Sequence, residues 1–320
     1  MPTPDSVPAL RFDHLTLQLP GQARPVLAGV TLTVAAGETV SLVGESGSGK
    51  SLTARSALGL LPAGARTSGS VVAAGHSVLT ASPGELRTLR SHRAAMVFQN
   101  PHAAINPLHR IEDFLIESAR HARPAYTDDP SARARALCDA VRLPERVLRQ
   151  YPHELSGGML QRVAIAAALM PDPRLLLADE PTTALDATTQ AEIIALLAEL
   201  RDRFRMGLLF ITHDLDLAAA ISDRVCVMYA GRVIETGTPD RLLAHPRHPY
   251  TAALLQATPR PHRRAGHLTP IDGSPPDLDT PLTGCAFAPR CAHRTEICRR
   301  QTPPATPVAC HHSAALDLHA

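Results

Sequence analysis

No stretch of this 320-residue sequence is long and apolar enough to cross a bilayer as a helix. The run from Val163 to Met170 is among the longest, and it falls well short of the ~18 residues a spanning helix requires. The start, Met1-Pro2-Thr3-Pro4-Asp5, has neither the basic nor the apolar region of a secretory leader. The chain is therefore expected to stay in the cytoplasm and to meet any membrane through a partner. An excess of one charge is also missing. Lys and Arg number 32 against 30 Asp and Glu, and a formal charge of +2 argues against nucleic acid as the main partner. Basic residues cluster only briefly, at 260–264, and no heptad run suggests a coiled coil.

Hydrophobic residues at 44% and charged residues at 19% describe a soluble globular protein, long enough for one large domain and an appendage. Composition shifts near residue 239. Of the 29 prolines, 13 lie from Pro239 to Pro307, and four of the six cysteines lie from Cys285 to Cys310. Proline removes backbone donors, so this tail is expected to carry little regular helix or sheet. The boundary is placed between a domain of residues 1–239 and an extension of residues 240–320. Alternating residues at 11–19 (Leu15, Leu17 and Leu19 on one face) and at 30–34 read as half-exposed antiparallel strands. Further strands are read at 38–43, 174–179, 207–212 and 224–228. Residues 110–170 are helical in pattern, broken at Pro124, Pro130, Pro144 and Pro152. Alternating β and α elements point to a mostly parallel core sheet with flanking helices.

Gly44-Glu45-Ser46-Gly47-Ser48-Gly49-Lys50-Ser51 fits the phosphate-loop pattern, and it stands between a strand and a helix as that motif requires. Its glycines, Gly44, Gly47 and Gly49, are expected to take positive φ and turn N–H groups onto phosphate. Lys50 supplies charge at the β- and γ-phosphates, and the Ser51 hydroxyl is a Mg²⁺ ligand. An apolar run ends at Asp179-Glu180: Asp179 would bind Mg²⁺ through water, and Glu180 would act as general base on the attacking water. A second apolar run ends at His213, which can donate to the γ-phosphate and hold Glu180 and the water in line. Leu155-Ser156-Gly157-Gly158-Met159 precedes a strong helix former, so Ser156 is a natural N-cap and the helix start an anion site.

These motifs together resemble the ABC transporter ATPase subunits, over roughly residues 10–240. The pattern Asp179-Glu180-Pro181-Thr182-Thr183-Ala184-Leu185-Asp186 and the run from Tyr151 to Arg162 carry the resemblance most specifically. It implies a P-loop α/β fold with a mixed core sheet, an antiparallel β subdomain and a helical subdomain at about 100–170. It implies ATP held by 44–52, Leu52 included, and by Asp186, with Gln99 touching metal and water. It implies that Ser156, Gly157 and Gly158 close over ATP held by an opposite subunit, identical or homologous, so that the active unit is a dimer. More narrowly, Phe98-Gln99-Asn100-Pro101, Ile105-Asn106-Pro107, residues 245–251 and residues 284–291 are similar to importers of oligopeptides, dipeptides or nickel. The further partners implied are two membrane-spanning permease subunits, received near 99–111, and indirectly a substrate-binding protein. The place implied is the cytoplasmic face of a bacterial inner membrane. Nickel or a metal chelate is the alternative cargo, and a soluble ATPase acting on ribosomes or nucleic acid is the alternative class. One departure is the loop 18–26, which lacks the aromatic that often stacks on adenine.

Cys285, Cys291, Cys298 and Cys310 could hold Zn²⁺ or an iron–sulfur cluster, and no close pair of the kind common in zinc sites occurs among them. Resemblance to the peptide importers favours a [4Fe–4S] cluster. Cys138 and Cys226 lie in helix and strand patterns and read as packing residues.

Overall fold

The computed structural model describes residues 7–119, 129–183, 185–258, 270–304, 307–316 and 318. The readings made for Met1 to Asp5, Pro124, Ala184 and the basic stretch 260–264 lie outside these residues. Among the described residues ten strands form two sheets. The first is antiparallel and contains β1 (Leu10–Gln18), β2 (Leu27–Val34), β4 (Arg66–Ala73) and β5 (His76–Ser77), in the order β2-β1-β4-β5. The second contains β3 (Thr39–Val43), β6 (Ala94–Val97), β7 (Leu175–Asp179), β8 (Gly207–Thr212), β9 (Arg224–Tyr229) and β10 (Arg232–Gly237). Its order is β10-β9-β3-β8-β7-β6, parallel throughout except for β10.

Strict alternation would place Leu15 and Leu17 on the opposite face of β1 from Leu10 and Phe12, yet all four are fully buried. A bulge reconciles them. Register shifts between Phe12 and Leu15, where His14 adopts φ +49°. Opposite it stands Gly69, whose Cβ, if present, would lie 2.4 Å from the His14 carbonyl oxygen. In the second sheet β3, β7 and β8 are buried at every residue, which explains their unbroken apolar runs and fixes them as central parallel strands.

Helices α1 (Lys50–Ser56) and α2 (Pro83–His92) follow β3 and the first sheet. The helical region contains α3 (Pro101–Ala104), α4 (Ile111–Ala119), α5 (Pro130–Ala140) and α6 (Gly157–Leu169), with 3-10 turns at Glu145–Arg149 and Pro152–Glu154. Cys138 is buried in its apolar cluster, as Cys226 is in the cluster between the two sheets. Helices α7 (Ala187–Phe204) and α8 (Leu215–Ile221) alternate with the last parallel strands.

Past residue 238 the described chain is mostly irregular, as its prolines suggest, with two short helices at its start. Helices α9 (Pro239–Ala244) and α10 (Pro249–Ala257) each begin with proline, which is tolerated there because the first helical N–H has no partner to lose. Among the described residues only the short α11 (Glu296–Arg300) and a 3-10 turn at Ala288–Arg290 follow. Leu242, Tyr250, Leu255, Phe287, Cys291 and Ala309 share one apolar cluster with Val43, Val225, Val227 and Tyr229 of the core sheet. Val308 also pairs with Glu235 of β10. The tail is thus packed onto the sheet edge beside β3, the strand that leads into the phosphate loop.

Candidate functional site

The C-terminal ends of β3, β7 and β8 converge on one place. β3 leads into the loop 44–49, which turns into α1. Gly47 and Gly49 take φ of +79° and +103°, as expected. Gly44 does not, which corrects the expectation for that position. A Cβ at Gly44 would meet the Met228 carbonyl oxygen at 2.2 Å, so close backbone approach demands glycine there. The Ser48 carbonyl accepts from Gly231 N at 2.9 Å, fixing the loop to the turn after β9, while Ser46 and Gly47 are exposed. Lys50 and Ser51 form the first turn of α1, where amide N–H groups lack intrahelical partners. Leu52 packs against the cluster between the sheets and anchors that turn.

The Lys50 ammonium curls back to donate to the Gly44 and Glu45 carbonyls at 2.8 and 3.0 Å. Burial lowers its pKa, opposed by the negative charges of Glu180, Asp179 and Glu45. Ser51 Oγ donates to Asp179 Oδ1 at 2.7 Å, across from the end of β7. Asp179 is 2% exposed, and burial raises its carboxyl pKa against the pull of the Ser51 bond and the nearby Arg55 and Lys50. A hydroxyl beside a carboxylate is the oxygen donor set that Mg²⁺ takes together with phosphate.

Glu180 stands at φ +46°, a strained conformation for a residue with a side chain, held by its N–H donating to the Ile211 carbonyl at 3.0 Å. Its carboxylate accepts from Gln99 Nε2 at 3.0 Å and Thr183 Oγ1 at 3.1 Å, with His213 Nδ1 3.8 Å away. Gln99, Glu180 and His213 therefore meet at one carboxylate oxygen, although 81 and 33 residues separate the outer two from Glu180. A carboxylate so placed can receive a proton from water at the open side of the loop.

Ser156, Gly157 and Gly158 lie elsewhere. Ser156 caps α6, accepting from Met159 N at 3.3 Å, and Asp186 caps α7, accepting from Thr189 N at 3.0 Å. The bond from Thr189 holds the Asp186 carboxyl below its usual pKa range. The two helix starts adjoin: a Cβ at Gly158 would lie 2.8 Å from Thr189 Cγ2. Among the described residues no hydrogen bond or ion pair joins these four residues to the phosphate loop, and Ser156 and Gly157 are exposed.

Sequence reading missed three residues. The Glu45 carboxylate is held by both terminal nitrogens of Arg290 at 2.7 and 2.9 Å, and its backbone N–H donates to Tyr250 Oη at 2.9 Å. Arg24, in the loop without an aromatic, is 8% exposed and donates to the carbonyls of Pro276 and Asp277. No local spacing signals these partners, because the contacts span 205 to 253 residues.

All four clustered cysteines line one cavity, with His248, His293, His311 and His312. Burial raises the thiol pKa of Cys285, Cys291 and Cys310, and each of the three also feels the charge of Cys298. Backbone N–H groups of Phe287, His293 and His312 donate to their sulfurs. Among the described residues, however, no three His, Cys, Asp or Glu side chains converge closely enough to hold a metal ion, so neither expected metal has a preformed ligand set.

Residues 27–183 match the family described as ABC transporter, and residues 234–298 match the oligopeptide/dipeptide transporter C-terminal region. The oligopeptide transport ATP-binding protein OppD of Haemophilus influenzae is 44% identical over 272 residues, 84% of this chain and 84% of that protein. The dipeptide transport ATP-binding protein DppD of Bacillus subtilis is 40% identical over 294 residues, 91% of this chain and 88% of that protein. Among solved structures, the dimeric bacterial ABC transporter cassette MJ0796 is similar with a TM-score of 0.63 and 28% identity, over 72% of this chain and 98% of that one.

Proposed function

This chain belongs to the ABC transporter family, and on that premise we propose that it is the ATP-hydrolysing subunit of a bacterial importer of di- or oligopeptides. What carries the reading is the pairing of a complete phosphate site with a C-terminal segment that matches the oligopeptide/dipeptide transporter region. Relatives named for oligopeptide and dipeptide transport favour peptide over nickel, and neither they nor the net charge of +2 favours a ribosomal or nucleic-acid role.

The residues divide by task. The Lys50 ammonium would leave the loop carbonyls for the β- and γ-phosphates of ATP. Ser51 and Asp179 would hold Mg²⁺, which when bound neutralises phosphate charge. Glu180 would take the proton of the attacking water, with Gln99 and His213 orienting that water. The exposed Ser156 and Gly157 and the half-buried Gly158, with no bond to their own loop among the described residues, would complete the site of a second ATPase subunit, with Asp186 at the adjoining helix start. The dimeric state of the similar cassette supports this arrangement. Leu108 is 82% exposed and Phe98 39%, two exposed apolar side chains within the stretch 98–108 that would suit a permease helix. No described helix is long and apolar enough to cross a membrane, so the chain would sit on the cytoplasmic face of the inner membrane through two permease subunits, with a substrate-binding protein acting indirectly.

The cysteine cavity supports a second, subordinate reading. All four cysteines line one cavity, burial raises the thiols of Cys285, Cys291 and Cys310, each of which also receives a backbone N–H, and the resemblance to peptide importers favours a [4Fe–4S] cluster over zinc there. Such a cluster would be structural.

Glu180→Gln in the assembled transporter tests the main reading. Peptide-stimulated ATP hydrolysis should fall by roughly 10²–10⁴-fold while ATP binding persists, and an ATP-bound dimer should accumulate. Hydrolysis at the unmutated rate would refute the assignment of Glu180.

A further inference from the structure

Arg290 comes from the middle of the cysteine-containing segment, yet its side chain is 4% exposed and ends at the phosphate loop. All five of its N–H donors are used. Nε donates to the Asp272 carbonyl at 2.9 Å. Nη1 donates to Glu45 Oε2 at 2.7 Å and to Tyr229 Oη at 3.3 Å. Nη2 donates to Glu45 Oε1 at 2.9 Å and to the Ile271 carbonyl at 3.1 Å. The guanidinium also sits 5.8 and 5.9 Å from the ring centroids of Tyr229 and Phe287. A planar fork fixed on every donor has one available position, and that position fits the carboxylate of Glu45 in bidentate fashion.

Glu45 is the second residue of a loop built to receive a polyanion. Its carboxylate, one quarter exposed, is screened little by solvent. Left without a counter-charge, it would repel the triphosphate and compete for the Lys50 ammonium, which already lies 3.0 Å from the Glu45 carbonyl. Tyr250 fixes the same residue from the backbone side, its hydroxyl accepting from Glu45 N at 2.9 Å. Tyr250 is wholly buried, its ring 4.6 Å from that of Tyr229 and 5.4 Å from that of Phe287. Side chain and backbone of one loop residue are therefore both gripped by the extension. The far side of the loop, at Ser46 and Gly47, stays open.

We propose that the C-terminal extension is part of the nucleotide site of its own chain. Arg290 is a positioning residue that neutralises Glu45 and, with Tyr250, holds the entry of the phosphate loop in the shape that receives the triphosphate. The inference rests on the nucleotide site described above and adds the extension to it.

The test measures equilibrium binding of the magnesium complex of a non-hydrolysable ATP analogue to the full chain. Arg290→Ala should weaken binding roughly tenfold, the scale of coupling expected between groups in direct contact. Glu45→Gln placed in that background should restore most of the loss, because the uncompensated charge is then gone. In the assembled transporter, KM for ATP should rise with Arg290→Ala while kcat stays within about twofold, since Arg290 touches no reacting atom. Should Arg290→Ala not fold, Arg290→Lys with and without Glu45→Gln carries the same comparison: the charge stays, the fork is lost, and the expected loss is about threefold. Unchanged affinity in the folded variant overturns the proposal. So does a loss that Glu45→Gln fails to restore, which would make Arg290 mere scaffolding. Absence of binding in the unmutated chain would overturn the nucleotide site itself, a result distinguishable from either.

Discussion

Lowering the pH should loosen the C-terminal extension through one residue, His248. Its side chain caps α10, Nδ1 accepting from Tyr250 N at 3.0 Å, and its ring also hydrogen-bonds the backbone of Ala309. It is 1% exposed, and burial pulls its pKa from 6.5 down to about 4 against the small opposing effect of the Ala309 bond. The sign follows from proton counting. Between these two values the unfolded chain binds more protons than the folded one, so stability rises with pH there. The contribution is fully present above about pH 6.5 and is lost as pH falls toward 4. At 1.36 kcal/mol per unit the whole difference is worth about 3 kcal/mol, and about 2 kcal/mol of it should be lost between pH 7 and pH 5. Urea denaturation followed by tyrosine fluorescence reads this region well. Two of the four tyrosines, Tyr229 and Tyr250, lie beside His248, and there is no tryptophan to mask them. His248→Asn keeps an N-cap acceptor and removes the titration. Wild type should lose about 2 kcal/mol more than this variant on going from pH 7 to pH 5, a comparison that cancels the neighbouring His293, His311 and His312. Equal losses in the two proteins would sink the argument.

Ser156→Arg should abolish turnover in the assembled transporter yet leave nucleotide affinity of the isolated chain unchanged, since the residue has no tie to its own phosphate loop; weaker binding by the monomer would contradict this. Leu108→Asp should leave fold and ATP binding intact but release the chain from permease-containing membranes, as judged by co-purification, and an undisturbed assembly would move the docking surface elsewhere. Protein prepared without oxygen should contain iron and sulfide, lost on replacing Cys285, Cys291, Cys298 or Cys310 by serine; stoichiometric zinc alone, or no metal, would end the cluster reading.

The phosphate loop, the acidic strand end and the capped helix at Ser156 were legible from the sequence, because each is local. A glycine pattern, an apolar run or an N-cap acts within a few residues, so its meaning survives without knowledge of the fold. The parallel core sheet was legible for the same reason, through unbroken apolar runs at β3, β7 and β8. Tertiary structure decided what depends on partners distant in the chain. Gly44 is required by the Met228 carbonyl rather than by its own φ, and the bulge at His14 requires Gly69 across the sheet. Proline statistics described the tail as mostly irregular, which it is past α10, but its docking depends on α9 and α10, which form because proline is tolerated at the first helical position. Above all, the pairing of Glu45 with Arg290 joins residues 245 apart, and nothing in either local sequence announces it. Such an ion pair exists only because the apolar cluster around Tyr229, Tyr250 and Phe287 folds the tail against β9 and brings the buried Arg290 guanidinium within hydrogen-bond reach of the partly buried Glu45 carboxylate.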